Sequence, residues 1–388
     1  MDKKQKGVLA QVCLSLFLFI FIQIVYKGIT SSPKELDSIL YHIPIAKSYL
    51  TGDIFSSPKS PLLHRFFPGA SEGILALFIL LRIPLNLYNV LGIIILFLSC
   101  YFLGIRGGLK KKSALVFAVG FSSLMGVIRW ADTQIVDIWI AAYYALLLGL
   151  LLKPGKSLWY FLKLGVISGM LIGSKYSGPL YASVALLFIW KRKTGINVIK
   201  AITFITPVII LGGFWYMRNN LIMGNPIYPI SILGLNGVKN WALELPVWRA
   251  IVSFPTSFVT ACISEYLGWF VLSLAVVIYV IFDFIKQKKF SLNLVLILIS
   301  FFNFVFYLFM PNAQTYQVHV SNLRYSYPVF IPLFLVIFRI AQEKKYEGFL
   351  FIFALAQILF ALQFAYHPKL IFIYLPLIMI QWYQYGRR

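Results

Sequence analysis

The chain has few charged side chains, and acids are the scarcest of them. Asp and Glu together number 12 in 388 residues, against 35 Lys and Arg, while 60% of the residues are hydrophobic. A mean hydropathy of +0.83 is more apolar than a water-soluble domain can bury, which excludes that class. The composition therefore predicts a polytopic membrane protein.

Cysteine is nearly absent as well. Cys13 and Cys100 lie inside apolar runs, and Cys262 lies near the end of a loop. No pairing or metal-ligand spacing is visible, which excludes a disulfide framework and a zinc motif. No Gly-rich nucleotide-binding loop is found either. The net charge of +23 would indicate nucleic-acid binding in a soluble protein, but in a membrane protein basic cytoplasmic loops explain it, so no nucleic-acid partner is expected.

Long apolar runs are abundant, and about 20 such residues cross a bilayer. They predict an all-α polytopic membrane protein with about twelve transmembrane helices, forming one transmembrane domain over residues 1–388. The predicted spans are 7–27, 86–105, 113–129, 138–152, 159–174, 178–190, 198–216, 266–285, 292–310, 326–340, 348–365 and 369–384.

Two long segments are expected on the outer side: a first outer loop over 28–85 and a second large outer loop over 217–265. The apolar stretch 72–83 is short and ends in Arg82 and Pro84. Counting it as a span would place the basic cluster 106–112 outside. We therefore expect an interfacial helix with both ends on the outer face.

With this helix on the outer face and the N-terminus inside, the charged residues fall on the sides of the membrane that the positive-inside rule predicts. Every predicted inward turn is basic, as the positive-inside rule requires. Eight of the twelve acids fall on the outer side, namely Glu35, Asp37, Asp53, Glu72, Asp132, Asp137, Glu244 and Glu265. This clustering locates the candidate site on the outer face.

Asp37 is the strongest candidate for chemistry. Asp37 and Tyr41 are spaced to share a helix face, and His42 follows. A carboxylate at a dry membrane rim can act as general base toward an acceptor hydroxyl. The alternative is that Asp37 only caps the helix that follows. Glu72, further along the loop, either takes part in the site or starts the interfacial helix.

The second outer turn carries Asp132 and Asp137. Both can be solvated cap residues. One of them can also face Asp37 and share a substrate or a divalent metal ion, although a hard cation needs several oxygen ligands.

Three basic residues lie on outer turns, contrary to the general pattern. Lys175 precedes Tyr176 between two glycines, Arg218 follows a Trp-Tyr pair, and Arg324 lies in the last outer loop. Each can extend to lipid headgroups. Together they can bind the phosphate of an anionic lipid opposite the acids.

The order and sidedness of these residues resemble the GT-C superfamily of integral-membrane glycosyltransferases. The resemblance is greatest to the bacterial branch related to the protein O-mannosyltransferases and the lipid A aminoarabinose transferase, and it covers most of the chain. It rests on Asp37, Tyr41, His42 and Pro44, then Pro68 and Glu72, Asp132 and Asp137, the run 173–178, Trp215 to Asn219, Gly224 to Pro229, and Arg324 to Pro328.

The resemblance implies transfer of a sugar, with inversion, from a polyprenyl-phosphate carrier on the outer face of a bacterial cytoplasmic membrane. Asp37 would be the base, and Asp137, or else Asp132, would support the site. Glu72 would match the family's acid at the start of the interfacial helix, and Lys175, Arg218 and Arg324 would lie near the phosphate. Many members have two adjacent acids where Ser38 follows Asp37 here, so a divalent metal on Asp37 and Asp137 stays an open alternative.

Other functions compete with this one. A transporter or flippase of lipid-linked glycans would place charges near the bilayer midplane. A membrane glycan polymerase or ligase would also have outer-rim charges. The acceptor is a lipid, a glycan or a protein.

Overall fold

The computed structural model describes residues 1–55, 63–189, 197–231, 234–238, 246–311, 318 and 320–365. Within these ranges every regular element is a helix. The α-helices are α1 (Lys3–Thr30), α2 (Ile43–Thr51), α3 (Ala70–Leu80), α4 (Tyr88–Arg106), α5 (Lys111–Ser122), α6 (Met125–Arg129), α7 (Asp137–Leu152), α8 (Leu158–Ser174), α9 (Gly178–Ile189), α10 (Val198–Pro207), α11 (Phe214–Met223), α12 (Val247–Ser253), α13 (Pro255–Tyr266), α14 (Gly268–Gln287), α15 (Leu292–Leu308), α16 (Tyr327–Glu343) and α17 (Glu347–Ala365).

Shorter helical segments connect them. Two are π-helices, Ser38–His42 and Val208–Gly213, and each runs directly into the α-helix that follows it. Four are 3₁₀-helices, Asp53–Phe55, Leu63–Phe66, Leu85–Leu87 and Val320–Ser326.

Five helices of the described chain are long and apolar enough to cross a membrane. They are Lys4–Thr30, Leu85–Arg106, Val198–Met223, Gly268–Gln287 and Val320–Glu343. The pair α12 and α13, bent by 113°, adds a sixth if it counts as one broken span. The protein is therefore an all-α membrane protein, but the expected twelve spans are wrong.

The overcount has a physical reason. The other apolar helices have 10–17 residues, so at about 1.5 Å per residue the longest of them reaches about 26 Å, less than the roughly 30 Å of a bilayer core. Several are apolar because protein surrounds them: α7 is buried along nearly its whole length. Hydropathy does not distinguish a buried core helix from a lipid-facing one. The predicted span 369–384 lies outside the described residues.

The core forms where α4, α5, α7 and α16 pack together. Trp139 of α7 lies 5.1 Å, ring centroid to ring centroid, from Tyr88 of α4. Asn303 of α15 donates hydrogen bonds to the Tyr144 hydroxyl at 2.6 Å and to the Pro328 carbonyl at 2.9 Å. Buried amide donors are costly unless paired, so these bonds hold α15 and α16 against α7.

Three glycines of α8, at four-residue spacing, pack against α10 and the π-helix that continues it, together called here the α10 segment. A methyl group on Gly169 would lie 2.6 Å from the Pro207 carbonyl oxygen, and methyl groups on Gly165 and Gly173 would overlap the carbonyls of Phe204 and Leu211. The missing side chains allow backbone-to-backbone packing of the kind seen between membrane helices. This packing fixes the end of α8, where Lys175 follows.

The helices run between two ends of the molecule. At one end, called here the Lys110 end, Lys6 pairs with Glu347, and the Lys110 ammonium lies 4.0 Å from the same carboxylate. At the other, the Asp37 end, Lys27 pairs with Asp132 at 2.8 Å. Because α4 has 19 residues and connects the two, they are about 28 Å apart.

Among the residues that the structure describes, the expected outer loops contain more helix than loop. The interfacial helix predicted at 72–83 is α3, which starts two residues earlier and ends at Leu80. In the 217–265 segment, α11 continues to Met223, so Arg218 lies inside a helix, and the segment ends in the bent pair α12 and α13.

Candidate functional site

Glu35, rather than Asp37, supplies the capping oxygens at the start of the π-helix Ser38–His42. Its carboxylate accepts from the amide of Asp37 at 3.1 Å, and from the amide and hydroxyl of Ser38 at 2.6 and 2.8 Å. These bonds satisfy donors that a helix start leaves unpaired. The alternative in which Asp37 caps this helix is therefore wrong, and the Asp37 side chain is directed to another partner.

That partner is Arg324, which joins two carboxylates. Its Nη2 atom lies 2.6 Å from Asp37 Oδ2, and its Nε atom lies 3.2 Å from Asp137 Oδ2. The ammonium of Lys175 lies 2.6 Å from Asp137 Oδ1. We call Asp37, Asp137, Lys175 and Arg324 the ionic quartet. Two acids and two bases make it electrically neutral as a group.

The quartet is assembled from helix ends. Asp37 precedes the π-helix, Asp137 is the first residue of α7, Lys175 follows α8, and Arg324 lies just before α16. All four therefore lie at the Asp37 end of the molecule. From the sequence, either Asp132 or Asp137 could face Asp37; in the structure it is Asp137 that lies with Asp37, Lys175 and Arg324.

Aromatic rings hold the cations of the quartet in place. The Lys175 ammonium lies 3.8 Å from the centroid of the Tyr325 ring. The central carbon of the Arg324 guanidinium lies 5.2 Å from the centroid of the Trp130 ring and 5.3 Å from that of the Tyr325 ring. Cation–π contacts of this kind orient a charged group while excluding water. The sequence analysis missed Trp130 and Tyr325, although each follows an arginine in the chain.

Accessibility divides the quartet into two levels. The side chains of Asp137 and Arg324 are 4% and 6% exposed, whereas those of Lys175 and Asp37 are 28% and 31% exposed. A reactant from outside therefore meets Asp37 and Lys175 first. Tyr41 lies beside this edge, where burial and the Asp37 carboxylate raise the pKa of its hydroxyl, so Tyr41 stays protonated.

His42 and Glu72 form a second, buried pair next to the quartet. His42 Nδ1 lies 2.7 Å from Glu72 Oε1. Burial raises the pKa of Glu72 to about 8 and lowers the pKa of His42 well below its usual value. At neutral pH both members of the pair are therefore uncharged. The second oxygen, Glu72 Oε2, is buried without a hydrogen-bond partner among the described residues.

Hydrogen bonds connect this pair to the loop that carries Lys175. Ser71, next to Glu72, bonds the Ser174 hydroxyl at 2.6 Å. The Tyr88 hydroxyl donates to the Ser71 carbonyl at 3.0 Å. Glu72 lies on α3 and Lys175 follows α8, and these bonds between their neighbours fix the position of one relative to the other.

Tyr176 and Arg218 lie near the quartet but bind the first outer loop. The Tyr176 hydroxyl donates to the Phe66 carbonyl at 2.9 Å and also contacts the Tyr228 carbonyl. The Arg218 guanidinium reaches the carbonyls of Ile54 and Arg65 at 3.4 and 3.3 Å. Within the described residues these contacts fasten the loop to α11 instead of joining the quartet.

Asn219 also helps to fasten the first outer loop, whereas Asp132 lies apart from the quartet. Asn219 donates to the Phe66 carbonyl at 2.8 Å and to the Tyr176 hydroxyl at 2.9 Å, and it accepts from Arg218. The sequence analysis did not assign Asn219 a role. Asp132, a candidate substrate ligand, pairs with Lys27 at the end of α1 instead of with the quartet.

The donor set does not fit a divalent metal. A hard cation needs about six oxygen ligands. Asp37 and Asp137 are each already paired with Arg324 or Lys175. Among the residues that the structure describes, no group of three or more His, Cys, Asp or Glu side chains is placed to hold a metal ion. The mechanism below therefore uses the side chains alone.

Comparison with known proteins finds no family model, no curated protein and no solved structure that matches this chain. The geometry of the quartet is therefore the basis for assigning a function.

Proposed function

We propose that this protein is an integral-membrane glycosyltransferase. It transfers a sugar from a polyprenyl-phosphate carrier to the hydroxyl of an acceptor. The observation that carries this proposal is the quartet itself, in which the partly exposed Asp37 carboxylate contacts Arg324, and Asp137 joins Arg324 to the partly exposed Lys175. Transfer from a sugar phosphate requires a base for the incoming hydroxyl and positive charge on the departing phosphate, both held in line.

In the transfer, the acceptor oxygen forms a bond to the anomeric carbon as the bond from that carbon to the phosphate oxygen breaks. The acceptor proton goes to the Asp37 carboxylate. The electron pair of the broken bond leaves with the polyprenyl phosphate, whose charge Lys175 and Arg324 stabilise. Attack opposite the leaving group inverts the anomeric centre.

The remaining residues of the site position Asp37, Lys175 and Arg324. Asp137 binds both cations and holds them side by side. The pair of His42 and Glu72 supports the floor of the site and adds no net charge. Tyr176 and Arg218 hold the first outer loop over α11.

Charge sidedness supports a site on the outer face of a bacterial cytoplasmic membrane. The Lys110 end carries the basic cluster 106–112, which the positive-inside rule places in the cytoplasm together with the N-terminus. The quartet lies at the other end, about 28 Å away along α4. There the prenyl chain of the donor stays in lipid while the sugar meets an acceptor in water.

Positions of charge also favour this proposal over a transporter or flippase of lipid-linked glycans. Transporters hold ionisable groups near the bilayer midplane on broken helices. Here all four quartet residues lie at helix ends. A glycan polymerase or ligase would use the same outer-rim charges. The identity of the acceptor is what distinguishes that function from the proposed one.

The test is transfer by the full chain in detergent, with a radiolabelled polyprenyl-phosphate sugar and a lipid, glycan or protein acceptor. We expect Asp37→Asn to reduce transfer at least about 100-fold, the usual contribution of a general base. The matched control is Asp53→Asn, which removes an acid of the same loop that accepts a hydrogen bond from Thr51. Covalent product in detergent excludes a flippase, and equal rates in wild type and Asp37→Asn would remove Asp37 as the base.

A further inference from the structure

Arg324 occupies one of the two oxygens of the Asp37 carboxylate. The 2.6 Å contact places a guanidinium donor directly on Asp37 Oδ2, the more exposed carboxylate of the quartet. A charge-assisted hydrogen bond of this length is strong. It must lengthen or break before that oxygen takes the proton of an acceptor hydroxyl.

Arg324 is built to exchange this bond without leaving the site. Its Nε atom remains near Asp137 Oδ2 at 3.2 Å, and its plane is held by Trp130 and Tyr325. Asp137 is also bound by Lys175, so its charge stays compensated if Arg324 rotates. The Nη2 atom, which reaches Asp37, is therefore the end of the guanidinium that can change partner at least cost.

A donor phosphate is the anion that would compete for that end. The quartet is neutral, so an added phosphodiester brings one uncompensated negative charge. Two anions then share Nη2, and the planar fork of arginine matches phosphate oxygens well. Repulsion between the phosphate and Asp37 favours release of Asp37 toward the exposed side.

We infer that Arg324 is an exchangeable latch on the general base: it holds Asp37 until the donor phosphate takes over its Nη2 hydrogen bond and frees Asp37. This inference rests on the proposed function, because it needs a donor that carries phosphate. The latch frees the Oδ2 atom of Asp37 only when a donor is bound. Donor binding therefore precedes activation of the acceptor by that atom.

The experiment measures phosphate binding, which does not require turnover. Farnesyl phosphate is titrated by calorimetry into the full-length protein in detergent at fixed ionic strength, with farnesol as the control for binding of the prenyl chain alone. Wild type, Asp37→Asn, Arg324→Gln and the double variant form a double-mutant cycle. The thermal midpoint of each variant checks that it is folded, and Arg324→Lys replaces Arg324→Gln if the latter is not.

Because Asp37 and phosphate compete for one donor group, we expect Asp37→Asn to bind farnesyl phosphate about tenfold more tightly than wild type. In the Arg324→Gln background the same change should improve binding less than twofold. An equal gain in both backgrounds would show a general charge effect and overturn the latch, as would no gain in wild type. If farnesyl phosphate binds no better than farnesol to any variant, the proposed donor itself is wrong.

Discussion

At the scale of single residues, the site depends on which acid performs which task. Glu35 and Asp37 are two positions apart, and either could cap the helix that follows. The structure gives the cap to Glu35, whose oxygens accept from Asp37 and Ser38. Asp37 is thereby left to pair with Arg324. A short-range competition for backbone amides thus decides which carboxylate can serve as a base.

The buried pair of His42 and Glu72 predicts a pH dependence of stability. Folding raises the pKa of Glu72 from 4.5 to about 8, so the folded state binds the Glu72 proton more tightly, and stability falls as pH rises through that interval. Folding lowers the pKa of His42 below 6.5, which has the opposite sign but acts only below pH 6.5. Between about pH 6.5 and 8, Glu72 is therefore the member of this pair that contributes a pH dependence.

We expect the thermal midpoint of wild type to fall across this interval relative to that of Glu72→Gln, which keeps a donor for His42 Nδ1 and does not titrate. The charged groups that face the pair are Lys175, Arg324, His64 and Asp137. Their contribution is common to both proteins and cancels in the difference. Midpoints measured in detergent at pH 6.5 and 8 check the prediction, and parallel curves would contradict it.

At the scale of elements, close packing of α8 against the α10 segment positions Lys175. Gly169→Ala would place a methyl group 2.6 Å from the Pro207 carbonyl, a backbone atom that cannot move alone. Overpacking of this kind costs about 1–3 kcal/mol. We expect a lower thermal midpoint together with reduced transfer, because Lys175 lies just beyond α8.

Gly213 offers a matched control for this substitution. It lies at the end of the π-helix Val208–Gly213, and a methyl group there would meet its nearest atom at 3.8 Å, an ordinary contact distance. Gly213→Ala should therefore leave the midpoint almost unchanged. Equal effects of the two substitutions would show that general loss of glycine flexibility, rather than helix packing, is responsible.

An ion pair outside the quartet anchors the bent helices α12 and α13. Glu265, at the end of α13, lies 2.8 Å from Arg129 Nη2 in α6 and is only 2% exposed. Removing one member of a buried pair costs about 3–5 kcal/mol, and the cost here should lie below that range because Arg129, the charge left behind, is 27% exposed. We expect Glu265→Gln to lower the thermal midpoint strongly.

A surface pair provides the comparison for Glu265. Glu343 lies 3.8 Å from Arg339 on α16 and is 56% exposed, so Glu343→Gln should change stability by less than about 1 kcal/mol. Thermal unfolding in detergent measures both. If Glu265→Gln is as mild as Glu343→Gln, the ion pair with Arg129 does not hold the bent pair in place.

At the scale of the whole molecule, the proposal depends on the two ends lying on opposite sides of the membrane. Single cysteines introduced at Lys110 and at Lys34 test this, because both side chains are exposed and the natural cysteines are all buried. In intact cells we expect a membrane-impermeant thiol reagent to label Lys34→Cys but not Lys110→Cys. Labelling of both positions from one side would overturn the proposed location of the site.

The number of spans shows where hydropathy fails at this scale. The helix Val320–Glu343 meets the criterion for a span, yet 83% of its most apolar window is buried inside the protein, whereas only 11% of the corresponding window of Val198–Met223 is buried. Both read as apolar runs. Length and hydropathy report how much apolar surface a segment has, but not whether protein or lipid covers it.

Hydropathy and charge along the chain are enough to predict a helical membrane protein, most of whose acids lie on one side, and to name the candidates from which the ionic quartet is formed. These features can be predicted because hydropathy and charge are properties of local segments. The side of the membrane on which each loop lies follows from counting the charged residues in it. Asp37, Asp137, Lys175 and Arg324 were all candidates on that basis.

Which of these candidates come into contact depends on how the helices pack. The pairing of Arg324 with Asp37 joins residues 287 positions apart, and the pairing of Asp132 with Lys27 removes a candidate from the quartet. Likewise, Arg218 binds the carbonyls of a loop whose course the sequence does not reveal. An ion pair forms through the geometry of helix ends packed side by side, and that geometry depends on the shape of every helix between them.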